Sequence, residues 1–299
     1  MSALTEPFSH EFMQRALLGC ALIGFTNGFL GAFVLLRRMA LMADALSHSL
    51  LPGLAVGVLL FGLTPISLFF GALAAALFVA LGAGLISRSS RIKEDVALGI
   101  LYTVAFSLGI ILLAYAPTRV SLQHYLFGNI LGLSDDDLWI SYAIALLSLP
   151  LLVFLQRPLL LLLFEPNVAR SQGVRVGAMT YLLVGLVVLA MISALQAVGV
   201  VLALGLLIAP AATIYLFSDR YEWLFWGGGL IGMFGACFGL LLSYWLNLPS
   251  GPCITLLLGV IFGAAYLLSP RYGLLPRVWR RKRHFHEESL ERWHDHPPT

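Results

Sequence analysis

Arg37-Arg38-Met39-Ala40-Leu41-Met42-Ala43-Asp44-Ala45-Leu46-Ser47-His48-Ser49-Leu50-Leu51-Pro52-Gly53-Leu54-Ala55-Val56-Gly57 opens on two arginines and runs on into apolar sequence. Between Met39 and Ser87 only Asp44 and His48 titrate. They stand four residues apart, so on a helix they share a face, one turn above the other. A carboxylate at membrane depth is costly and faces protein, water or a bound ion rather than lipid. A carboxylate beside an imidazole suits a borderline divalent metal such as Zn²⁺ or Mn²⁺. A hydrogen-bonded pair that locks helix packing is the other reading. Two side chains do not complete a four-ligand site. Ser47, a second copy of the chain or a partner would have to add to them.

The rest of the chain shares this character. It has 299 residues, 60% hydrophobic and 11% charged, with a mean hydropathy of +0.91. A soluble domain carries about 25% charged residues. Many apolar runs here approach the roughly 20 residues that a bilayer requires. They do not alternate as barrel strands do, and backbone groups in lipid must be satisfied within the segment. The expected fold is all-α, a polytopic integral membrane protein with about eight or nine transmembrane helices.

The expected spans are Ala16–Leu36, Asp44–Phe61, Ile66–Ile86, Val96–Ala114, Leu138–Leu155, Ala178–Leu195, Gly199–Phe217, Leu224–Leu246 and Ile254–Leu268. Pro52-Gly53 suggests a kink or an interruption in the second. Gln196-Ala197-Val198 separates the sixth from the seventh. Pro117–Asp137 is too polar at its ends to cross and reads as an interfacial or re-entrant segment. Ser134 before Asp135, Asp136 and Asp137 reads as a helix start. After Arg157-Pro158 and an apolar run, Phe164–Arg175 reads as a short amphipathic cytoplasmic helix and turn.

Basic residues gather at Arg37/Arg38, the Arg88–Lys93 loop, the Arg157–Arg175 loop and the tail. Nine crossings put all four on one side, which the positive-inside rule makes cytoplasmic. The N-terminus is then expected outside and the C-terminus inside. No basic run precedes residues 1–12, so a removable signal peptide is not expected. A transmembrane permease domain over 1–272 and a basic, histidine-containing cytoplasmic tail over 273–299 complete the expected organisation.

Cys20, Cys237 and Cys253 lie scattered in apolar runs without CxxC spacing and read as core residues. His284, His286, His294 and His296 sit in the tail, where short histidine tracts bind metal weakly. A solvated tail is the plainer reading. No HExxH, GxSxG or GxxxxGK[ST] pattern occurs, so metalloprotease, nucleophile-elbow and P-loop chemistry are not expected. If transport here is driven by ATP, a separate subunit hydrolyses it.

From about Gly19 to Tyr272 the chain resembles the membrane permease subunits of ABC transporters that import zinc or manganese, the ABC-3 family. The resemblance rests first on Arg37–His48. Tyr125–Leu131, Val198–Leu202, Leu207–Thr213 and Pro249–Pro252 follow in the same order. Ala43 departs from the glycine the family usually has there, and leaves the ligand types intact.

The resemblance implies a non-enzymatic permease of the bacterial cytoplasmic membrane that takes a zinc or manganese ion inward and keeps no permanent cofactor. It makes Asp44 and His48 transient metal ligands of the pathway, near an external gate. It makes the piece with Glu165, Pro166, Ala169 and Gly173 the part that docks on the ATPase. It also implies a dimer of ATP-binding subunits, an extracytoplasmic metal-binding protein and a second permease copy, identical or not. Membrane lipid surrounds the chain and no nucleic acid is involved. Metal needs an unprotonated imidazole, so uptake is expected to fall between about pH 8 and about pH 5.5. Two alternatives remain. A permease for a siderophore or cobalamin type of chelate would have no essential Asp-His pair. A secondary carrier would work without an ATPase.

Overall fold

The computed structural model describes residues 7–115, 128, 130–270, 272 and 273. Among these, every regular element is helical. In chain order they are α1 (Glu11–Leu36), α2 (Ala40–Phe61), α3 (Pro65–Ser89), α4 (Glu94–Ala114), α5 (Asp135–Phe154), α6 (Gln156–Phe164), α7 (Pro166–Ser171), α8 (Val176–Val198), α9 (Val200–Tyr215), α10 (Tyr221–Leu246) and α11 (Ser250–Leu268). A single 3-10 turn, Ile130–Gly132, precedes α5.

Among the described residues, eight helices are long and apolar enough to cross a membrane, and α9 is shorter. Eight of the nine expected spans therefore appear, with shifted ends, and the seventh, expected at Gly199–Phe217, is the shorter α9. The sixth continues through Val198 and stops at Gly199, whose φ of +83° turns the chain into α9. Glycine adopts that backbone without steric cost. Pro52 does not interrupt α2, which runs unbroken past it. The expected segment at Pro117–Asp137 and the Tyr125–Leu131 motif fall mostly outside the described residues, as does the tail beyond Gly273. Ser134 does start α5. Its hydroxyl accepts from the Asp137 amide at 3.2 Å while the Asp137 carboxylate accepts from the Ser134 amide at 3.0 Å, a reciprocal cap.

Close helix packing rests on glycine. A β-carbon at Gly24 or Gly28 would run into the carbonyl of Gly232 or Gly228 on α10. The pairing 24 with 232 and 28 with 228 makes α1 and α10 antiparallel. Gly53 and Gly71 do the same for α2 and α3. Such contacts replace hydrophobic driving force inside a bilayer.

Side-chain bonds fix which ends share a face. Arg15 pairs with Asp135 at 3.0 Å, joining the starts of α1 and α5. Arg37 donates to Thr180 Oγ1 at 2.9 Å, joining the end of α1 to the start of α8. Ser269 Oγ donates to the Leu216 carbonyl at 2.6 Å, joining the ends of α11 and α9. Glu11 and Leu268 thus lie at opposite faces. Arg37, Arg38, Arg88, Arg91, Lys93, Arg170 and Arg175 all lie at the face where α1 ends.

Candidate metal site

α1 closes in a tight cap. Arg38 takes the left-handed conformation at φ 58°, and the Met39 amide donates to the Val34 carbonyl at 2.9 Å. This is the six-to-one bond of a Schellman motif, usually built on glycine. α2 starts at Ala40, one turn before the expected Asp44. Asp44 and His48 therefore sit inside the helix, close to the face where the arginines gather.

The spacing does bring the pair together. His48 Nε2 lies 3.8 Å from Asp44 Oδ1. That exceeds hydrogen-bond reach, so the two are neighbours and not a locked pair. The Asp44 side chain is 42% exposed and that of His48 25%. α4 supplies the wall behind the imidazole. Phe106 meets it edge-on at 5.3 Å between ring centres, and Tyr102 stacks at 6.1 Å. His48 Nδ1 is buried without a hydrogen-bond partner. Ser47, considered as a third ligand, is buried and donates its hydroxyl to the Asp44 carbonyl at 2.7 Å. Among the described residues no cluster of three or more His, Cys, Asp or Glu forms around an ion-sized space. One chain thus offers one carboxylate and one imidazole nitrogen, open on one side. Two open ligands fall short of a closed four-ligand site and suit passing contact better than permanent binding.

The second expected element is a corner at the same face as the arginines. α6 ends at Phe164, Glu165 turns the chain, and Pro166 starts α7. Proline at a first helical position loses no hydrogen bond. Ala169 is fully buried, while Phe164, Glu165, Pro166 and Val168 are exposed. Gly173, at φ +81°, ends α7, and the Val174 amide donates to the Ala169 carbonyl at 2.9 Å. The four expected residues form one compact turn: Glu165 and Pro166 on its surface, Ala169 as its anchor, Gly173 as its cap.

Cys20 and Cys253 are buried and Cys237 is half-buried, all three free, as core residues would be. His10 is exposed and stacks on Phe12. The tail histidines lie outside the described residues. Sequence reasoning missed Tyr102 and Phe106. Their four-residue spacing was the available signal, because it sets two aromatic rings on one face of α4.

Residues 9–269 match the model of the ABC 3 transport family. The manganese transport system membrane protein MntC of Halalkalibacterium halodurans is 40% identical over 288 residues, covering 95% of this chain and 97% of that one. The manganese import system permease protein ScaB of Streptococcus parasanguinis is 38% identical over 261 residues, covering 87% and 92%. Among solved structures, PsaBC from Streptococcus pneumoniae in complex with Fab superposes with a TM-score of 0.83 at 33% identity, covering 91% of this chain and 96% of that one. By its helical build, its sequence match and its relatives, the chain is a multi-pass cell-membrane permease and belongs to the ABC 3 transport family.

Proposed function

We propose that this permease imports a divalent transition metal, manganese ahead of zinc, and that Asp44 and His48 hold the ion in transit. The observation that carries this is the open pair: 3.8 Å apart, not hydrogen-bonded to each other, and exposed on one side in an otherwise apolar helix. A carboxylate and an imidazole suit Mn²⁺ better than a thiolate set would. Relatives named for manganese transport support the choice of cargo.

The face rich in arginine is the cytoplasmic one under the positive-inside rule. The N-terminus is then outside and the C-terminal tail inside. Asp44 lies toward the cytoplasmic half of the bundle, so the pair acts below the external gate and not at it. No P-loop occurs in the chain, so a separate ATP-binding dimer supplies the energy. The α6–α7 corner is its docking point, with Phe164 and Val168 as exposed apolar contacts. A short helix seated in a partner's groove is a common form of such recognition. A second permease copy completes the pathway, and an extracytoplasmic metal-binding protein delivers the ion.

The test is total cellular metal in metal-limited cells carrying the wild-type chain or Asp44→Ala/His48→Ala, at matched membrane expression. A selective fall in manganese supports the proposal. Unchanged metals in the double variant would overturn it.

A further inference from the structure

Two adjacent residues in the first turns of α8, Thr180 and Tyr181, reach the joint before α2 and the far end of α3, the helix after it. Thr180 Oγ1 accepts from Arg37 Nη2 at 2.9 Å. Arg37 is the residue after α1, and only Arg38 and Met39 separate it from α2. The Tyr181 ring lies 5.3 Å beneath the Arg88 guanidinium, in the last turn of α3, and its hydroxyl rests against Gly84 on the same helix. α3 is bound tightly to α2 through Gly53 and Gly71. One short piece of α8 therefore grips α2 twice, through the chain at Arg37 and through the packing of α3.

The same piece follows directly on the α6–α7 corner. Only Gln172, Gly173, Val174 and Arg175 lie between Ser171 and α8. The Val174 amide, bonded to the Ala169 carbonyl at 2.9 Å, ties that link to the corner. Thr180 also donates to the Val176 carbonyl at 2.9 Å, so its hydroxyl is held in the helix while it accepts from Arg37. The Arg37 joint has a donor in reserve, because Nη1 is buried without a partner. Burial lowers the Arg37 guanidinium from its ordinary value, and the Glu94 carboxylate at the start of α4 acts against that. Arg37 thus feels α8 by contact and α4 through space.

We propose that Thr180 and Tyr181 are positioning residues that pass movement of the α6–α7 corner to Arg37 and Arg88, and so to the helix that carries Asp44 and His48. This rests on the reading of the corner as the ATPase docking point. A pull on α8 shifts the ends of α1 and α3 together, and α2 follows through the chain at Arg37 and through the Gly53–Gly71 packing with α3. The residues do not touch the ion. Their loss separates hydrolysis from transport.

The test uses the whole complex in liposomes, permease with its ATP-binding subunit and metal-binding protein, reading manganese uptake and ATP hydrolysis side by side. Tyr181→Leu should lower manganese carried per ATP by at least about fivefold, the low end of coupling between sites, with hydrolysis retained. Tyr181→Phe keeps the ring beneath Arg88 and should restore most of the ratio. Arg88→Gln, at an exposed position tolerant of change, should cost about threefold, the size of one exposed cation–π contact. A wild-type ratio in both Tyr181→Leu and Arg88→Gln overturns the proposal. So does a parallel fall of uptake and hydrolysis in Arg88→Gln, which would mark a docking or folding role. A wild-type complex that moves no manganese with ATP would instead overturn the function proposed above.

Discussion

α1 and α4 are both apolar enough to cross a membrane, yet 72% of an apolar 18-residue stretch of α1 is buried in the bundle and only 17% of that of α4. α4 is the more apolar of the two, so hydropathy does not explain the burial of α1. Small residues do. α1 turns Gly24, Gly28 and Gly31 toward the carbonyls of Gly232, Gly228 and Leu207, so that α10 and α9 close on it backbone to backbone. α4 makes one such approach, at Gly109 against Pro52 and Leu51. Its Gly99 meets open space, and its Thr103 and Ser107 hydroxyls stay exposed, each bonded only to its own helix at 2.8 Å. The difference separates a spine at the centre of the bundle from an outer wall that packs on α2 and covers His48.

The comparison breaks if the two helices respond alike to added bulk. Gly28→Leu should cost about 3 kcal/mol, the upper range for overpacking. Gly99→Ala on α4 should stay within about 1 kcal/mol. Thermal unfolding of the purified chain in detergent reads both, and equal shifts would abolish the distinction. Phe106→Ala sharpens it from the other side. It removes an edge-on ring contact worth about 1 kcal/mol beyond the area its half-buried ring covers, so the loss should stay below the roughly 3 kcal/mol expected at Gly28. Manganese uptake should still fall about tenfold, the low end for a group that orients a metal ligand, because the imidazole loses its wall. A large loss of stability with unchanged uptake would make α4 part of the spine.

Smaller effects are expected where the helices end. Ser134→Ala removes the reciprocal cap of α5 and should cost about 1 kcal/mol. Arg38→Gly relieves a left-handed residue and should gain up to about 1 kcal/mol. A loss on Arg38→Gly would show that the arginine side chain contributes more than its backbone costs.

Much of this was legible in the sequence. Apolar runs gave the helices in their order, and the four-residue interval put Asp44 and His48 on one face of α2. Ser134 before three aspartates marked the start of α5. Helix ends were less legible. An arginine in the left-handed cap at position 38 carries no sequence signal, so α2 began a turn earlier than expected. Pro52-Gly53 suggested a break. The helix instead runs on, because Gly53 lets α3 approach and Gly109 lets α4 pack against the proline. The wall around His48 comes from α4, far along the chain, and only the fold brings Tyr102 and Phe106 to it. The grip of α8 on Arg37 and Arg88 was hidden for the same reason.

Asp44→Asn tests the central claim most directly, since it keeps the shape of the side chain and removes its charge. The measurement is manganese uptake by liposomes holding the permease, its ATP-binding subunit and its metal-binding protein, with ATP hydrolysis followed in the same vesicles. The predicted result is a loss of uptake of at least about tenfold, the scale on which even outer-shell partners of a metal count, while hydrolysis persists. Uptake at the wild-type rate would contradict the account and leave Asp44 and His48 as packing residues of α2.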